Sequence, residues 1–114
     1  MDNPTVDPLL FLCFIPSEPW LLERAINKNL CEVCPGDFES EYMAKREAIL
    51  DIIKEAQIRI AQLKIVKNNG ELSMAIAVGT NNPRLVKVGP KGMDRLKNIL
   101  GTKRAPRFYA PGSF

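Results

Sequence analysis

The dipeptide Asn69-Gly70 constrains this chain more than any other feature. It follows Lys67-Asn68 and precedes Glu71-Leu72-Ser73-Met74-Ala75-Ile76-Ala77-Val78. Asn-Gly suits the two positive φ angles of a type I′ turn, which joins neighbouring antiparallel strands. The apolar residues Ile58, Ile60, Leu63 and Ile65 before it suit a strand or a continued helix equally well. A hairpin is the favoured expectation. The alternative is a helix running to Lys67, with Asn69 or Gly70 as its C-cap.

Upstream, Tyr42, Ile49, Ile52, Ile53, Ala56, Ile60 and Leu63 recur at three- and four-residue spacing. That period predicts one face of a long helix from about residue 38 to 60. Asp37 or Ser40 caps it, and Glu39 and Glu41 fall at its positive end. Leu50, Ile58 and Ile65 widen the apolar stripe beyond what one neighbour covers. Self-association through Tyr42, Ile49, Ile52, Ile53, Ile60 and Leu63 is therefore expected, giving a dimer or higher oligomer.

The remaining segments read in order. Pro4 and Pro8 hold Met1 to Pro8 extended, and Leu9 to Ile15 is continuously apolar. That run is a buried strand or an arm docking on another surface. Ser17, with Glu18 and Pro19 behind it, opens a short helix carrying Trp20, Leu21, Leu22, Ala25, Ile26 and Leu30, and Pro35-Gly36 breaks the chain after it. Past the hairpin, Asn81-Asn82-Pro83 is a turn and Leu85, Val86 and Val88 make a third strand. Met93, Leu96, Ile99 and Leu100 form a last helix closed by Gly101. The expected class is α+β: two N-terminal helices, one of them long, a three-stranded antiparallel meander, a short C-terminal helix and a basic tail. One domain spans 1–101, with 1–16 as an extended apolar arm, and 102–114 is the tail.

Composition narrows the class of partner. An apolar fraction of 46% in 114 residues suffices for one core, which argues against disorder of the whole chain. The net charge of +3 conceals a segregation. Residues 1–43 carry Asp2, Asp7, Glu18, Glu23, Glu32, Asp37, Glu39 and Glu41 against Arg24 and Lys28, a balance of −6. Residues 81–114 carry Arg84, Lys87, Lys91, Arg95, Lys97, Lys103, Arg104 and Arg107 against Asp94, a balance of +7. Such segregation predicts an anionic partner for the basic third, or contact between the two ends of the chain. No basic segment precedes Leu9–Ile15, and that run is too short to span a bilayer. The expectation is an intracellular protein, cytoplasmic or nuclear, with no membrane contact and with Cys13, Cys31 and Cys34 as free thiols.

Three local patterns bear on chemistry. Cys31-Glu32-Val33-Cys34 has the spacing that zinc and redox sites use, but the chain has no histidine and one further cysteine. A small metal-stapled module at Cys31/Cys34 is the least favoured reading, and no metal or other cofactor is assigned. Gly89-Pro90-Lys91-Gly92 matches Gly-x-x-Gly. From Val88 to Ile99 the chain resembles the loop and following helix with which KH domains clamp a nucleic-acid backbone. It departs from that pattern in Pro90, which lacks an N–H, in an apolar position that comes one residue late, and in a strand where a helix precedes the loop. The chain is not assigned to that family. Lastly, Phe108 and Tyr109 add rings beside Lys103, Arg104 and Arg107 on which a base stacks.

No histidine, phosphate loop or nucleophile motif argues for an enzyme. The leading expectation is a non-enzymatic, self-associating interaction or regulatory protein whose basic third docks on an anionic partner. The alternative is an RNA or single-stranded nucleic-acid-binding protein using the Gly89–Gly92 loop with Arg84, Lys87, Lys91, Arg95, Lys97, Lys103, Arg104, Arg107, Phe108 and Tyr109. An acidic protein surface is the other partner considered.

Overall fold

The structure is a computed structural model that describes residues 8–112. Residues 1–7 of the expected arm and the last two residues of the expected tail lie outside the described residues. The elements in chain order are β1 (Phe11–Phe14), α1 (Glu18–Asn27), α2 (Phe38–Glu55), β2 (Gln62–Asn68), β3 (Glu71–Thr80), α3 (Pro90–Leu100) and β4 (Arg107–Pro111). The class is α+β as expected, but the sheet is not a three-stranded meander. Four antiparallel strands close in the order β1-β3-β2-β4.

The Asn69-Gly70 turn forms, with φ of 54° and 82° at its two residues, and sets Asn68 opposite Glu71. From there β2 and β3 pair without interruption to Gln62 and Ala77. The other edge of β3 is taken by β1, pairing Phe11 with Thr80 and Phe14 with Ile76. This occupancy decides one expectation that was open and corrects another. The apolar run at Leu9–Ile15 supplies a strand between β3 and β4 rather than an outward-docking arm. Leu85, Val86 and Val88 make no strand, because β3 has no edge left for them.

A bulge joins these facts. Leu12 pairs with Gly79 and Cys13 with Ala77, which leaves Val78 without a partner on β1. A bulged residue drops out of the ladder. The Val88 N–H donates to the freed Val78 carbonyl at 2.8 Å, and Val88 is buried there. The final correction concerns the tail. Residues 107–111 are a strand, with Phe11 opposite Tyr109 and Val66 opposite Pro111, and the Gly112 N–H donates to the Ile65 carbonyl. A Cβ at Gly112 would lie 2.7 Å from Leu72 Cδ2, which can swing aside, and 3.2 Å from the Val66 carbonyl carbon, which cannot, so glycine suits this close pass over the β2–β3 hairpin.

Alternation along the strands divides the core in two. Phe14, Met74, Ile76 and Val78 face the helices and pack with Leu21, Ile49, Ile52 and Leu96. Cys13, Val66, Ala75 and Ala77 face inward, with Phe11, Ile15 and Tyr109 around them. The four buried inward residues are small because a four-stranded closure leaves little lumen. Burial pushes the Cys13 thiol up to about 12, so it is an apolar filler and not a nucleophile.

Helix ends follow from local geometry. Ser17 caps α1 by accepting the Trp20 N–H, and Asp37 caps α2 by accepting the Ser40 N–H at 3.3 Å. The three helices of the described residues end at a left-handed residue: Asn29 (φ 53°), Gln57 (φ 56°) and Gly101 (φ 67°). At Gln57 the Ile58 N–H reaches back to the Ile53 carbonyl, the wrap-around bond that stops a helix. This is why α2 ends at Glu55 and not near residue 60. None of these helices is long and apolar enough to cross a membrane.

Ion pairs fix how α1 lies on α2. Glu18 meets Lys45, Arg24 meets Asp51, and Lys28 meets Asp51 and Glu55, so the two helices run in the same direction. Ala44 and Ala48, fully buried, lie on the side of α2 between these partners and let the backbones approach. Desolvation pushes the Asp51 carboxyl up, but hydrogen bonds from Lys28 and Arg24, together with their charges, outweigh it and hold it below its usual value. A lowered folded value stabilises the fold above the unfolded value and is lost as pH falls through the folded one. Asp51→Asn is therefore expected to cost about 1 kcal/mol at pH 7, and the gap to wild type closes below about pH 4. Urea midpoints for both proteins at pH 7 and pH 3 check this. An equal gap at the two pH values would sink it.

Candidate functional site

The charge segregation of the sequence persists in the fold. The ion pairs engage Arg24, Lys28, Lys45 and Arg46 with Glu18, Glu47, Asp51 and Glu55, all on α1 and α2. Among the described residues, none of the bases from Arg59 to Arg107 forms an ion pair. The acidic helices pair most of their own cations, whereas Lys54 of α2 and the later bases form no ion pair among the described residues.

These later bases do not form one patch. Arg84 and Lys87 are exposed on the irregular segment between β3 and α3, near the Phe11 end of β1. Lys91 stands exposed in the first turn of α3, and Lys97 is half-buried in its last. Arg95 Nε donates to the Ala56 carbonyl at 2.7 Å, which ties α3 to the open end of α2. Lys103 is exposed between α3 and β4. Arg104 and Arg107, with Tyr109, line a groove at the opposite end of β1 from Arg84. Phe108, 50% exposed, points away from the inward-facing cluster that holds Tyr109.

The groove encloses about 460 Å³. It is lined by Cys13 and Phe14 of β1, by the β1–α1 connection from Ile15 to Ser17, by Trp20, and by Leu100, Thr102, Arg104, Ala105, Arg107 and Tyr109. Asn68 also lines it, and among the described residues no carboxylate does. Trp20 stands between this groove and a smaller one that Arg24 lines, with the guanidinium 5.8 Å from the ring centre. Sequence reasoning did not single out Trp20, Ser17, Asn68 or Thr102 as binding residues. Trp20 read as part of the apolar face of α1. Its position one turn into a capped helix directly after a strand was the available signal, because such a ring sits at a strand–helix corner.

The residues expected to carry self-association are mostly committed to the chain's own core. Ile49 and Ile52 have no accessible surface. Ile53, Leu63 and Tyr42 are half-buried against the same core, and the Tyr42 ring lies 6.3 Å from that of Phe38. Ile60 stays 43% exposed. It lines a second depression of about 400 Å³ with Leu9, Phe11, Leu85 and Val86.

The Cys31–Cys34 segment is held by Ser40, whose hydroxyl accepts the Cys34 N–H at 2.8 Å and donates to the Glu32 carbonyl. Cys31 is half-buried and Cys34 exposed, and no group of three metal-ligating side chains gathers among the described residues. Comparison with family models, with curated proteins and with solved structures found no match.

The Gly89–Gly92 loop has a packing explanation. Gly89 is the extended N-cap of α3 and Pro90 its first residue. Gly92 is buried, and a Cβ there would lie 2.8 Å from Val88 Cγ1 and 3.3 Å from Ile58 Cδ1. Val88 is itself buried and branched at Cβ, so it yields little. Gly92→Ala is expected to lose stability, because overpacking of about 1–3 kcal/mol outweighs the at most ~1 kcal/mol gained from removing a helical glycine. Denaturant midpoints measure the net sign. A more stable variant would overturn the packing account.

Proposed function

We propose that this chain is a non-enzymatic binding module that presents its basic C-terminal third to an anionic partner, and that the partner is single-stranded nucleic acid. The observation that carries this reading is the company Arg104 and Arg107 keep. They line one groove with three aromatic residues, Phe14, Trp20 and Tyr109, and, among the described residues, without a carboxylate. Phosphates are attracted by unpaired guanidinium groups, and bases are held by ring faces. An acidic protein surface would use the bases but gain nothing specific from the rings. Lys103, exposed beside the groove, extends the positive field along the path of a strand.

The test is binding of labelled single-stranded RNA and DNA across a salt series. Lys103→Glu together with Arg104→Glu is expected to weaken binding and to reduce the slope of log affinity against log salt by about 1.4, at roughly 0.7 for each phosphate no longer neutralised. Unchanged affinity and slope would remove the basic third from the binding account.

A second reading, self-association, is favoured by one observation. Ile60, Leu9, Leu85 and Val86, the last of them 76% exposed, surround the depression at the Phe11 end of β1. We infer that a second copy covers this surface, in place of the α2 face on which Ile49 and Ile52 are buried. Light scattering is expected to give a dimer for the wild-type protein and a monomer for Ile60→Glu with Val86→Glu. A wild-type monomer at all concentrations would end this reading.

A further inference from the structure

We infer that the groove beside Trp20 holds one unstacked base of the bound strand, with the flanking phosphates against Arg104 and Arg107; this rests on the nucleic-acid reading above and gives it a place and a stoichiometry. The volume of about 460 Å³ falls within the range of small-ligand pockets, which suits a single nucleotide. Both components of a nucleotide have a counterpart there. Trp20 and Tyr109 offer apolar ring surface, and Arg104 and Arg107 offer charge with no ion pair of their own among the described residues.

The polar lining suits the edge of a base. The Ser17 hydroxyl accepts the Trp20 N–H at 3.4 Å and keeps its own proton free to donate, and the Asn68 side chain makes no hydrogen bond among the described residues. An amide and a hydroxyl are the groups that pair with base edges in single-stranded recognition. Rigid elements frame the pocket. Ser17 is fixed as the cap of α1, and Tyr109 is fixed opposite Phe11 in the barrel. Trp20 is braced by Arg24, which in turn is held by Asp51 and Glu55.

The chain contains a single tryptophan, so its emission reports on this corner of the fold alone. The experiment titrates the full chain with oligouridylate, with oligodeoxythymidylate and with inorganic polyphosphate, following tryptophan emission and, with labelled oligonucleotides, anisotropy. The expected result is quenching of Trp20 by the oligonucleotides and none by polyphosphate, which has charge without bases. Trp20→Ala is expected to lower oligonucleotide affinity about tenfold or more, and Trp20→Phe to retain most of it, since a ring remains. Because Trp20 also packs against the core, Arg104→Ala with Arg107→Ala, on exposed side chains, serves as the variant that leaves folding alone, and its quenching titration is expected to shift at least tenfold. Oligonucleotide binding seen by anisotropy with unchanged Trp20 emission would overturn the base site while leaving the binding reading intact. Equal quenching by polyphosphate would overturn it as well, since no base is then needed. Absence of any binding at low salt would end both.

Discussion

The burial of β3 on both faces is the constraint on which the rest of the structure depends. Met74 to Val78 are buried without a break, although their side chains point alternately to opposite sides. One side needs the helices and the other needs closure by β4. Neither cover suffices alone, because a strand with one bare apolar face would expose either Ala75 and Ala77 with Cys13, or Met74, Ile76 and Val78. At roughly 1.5–3 kcal/mol for each large apolar side chain removed from water, the helix-facing set dominates the energetics, and the inward set decides the shape. The short side chains at Cys13, Ala75 and Ala77 permit four strands to close where larger ones would hold them apart.

Much of this was legible, and the physical reason differs from element to element. Asn69-Gly70 declared the hairpin because its backbone angles are local. Ser17, Asp37 and Gly101 declared helix ends for the same reason. The end of α2 was not legible, because Gln57 is a poor candidate for a left-handed residue and adopts it under tertiary demand. β4 was hidden because Arg107–Pro111 has a proline, two exposed leading residues and no clean alternation, so its pairing is decided by what it covers and not by its own pattern. The segment containing Leu85 and Val86 misled in the opposite direction: its side chains suit a strand, but the edge it would need belongs to β1.

The candidate site shows the same division. The unpaired bases were visible from composition, since charge imbalance needs no geometry. Which of them converge was not visible, because Arg104 and Arg107 meet Trp20 only through the closure of β4 beside β1. The apolar stripe on α2 has a related explanation. An apolar stripe on α2 broad enough to suggest a partner is broad because α1, α3 and the sheet all lie against it. Exposure, and not hydrophobicity, separates Ile60 from Ile49.

The order of the strands has a consequence for how the molecule is made. β1 is synthesised early, yet one of its neighbours ends at Thr80 and the other begins at Arg107. Hairpin β2–β3 closes over two residues and waits for nothing. Phe11–Phe14, in the most continuously apolar run of the chain, leaves the ribosome long before either flank exists. Joining residues 12 and 108 also carries the loop-closure entropy of every element between them, the kind of non-local pairing that slows folding. A strand whose Cys13 and Phe14 are buried in the finished protein is thus without either neighbour on a nascent one.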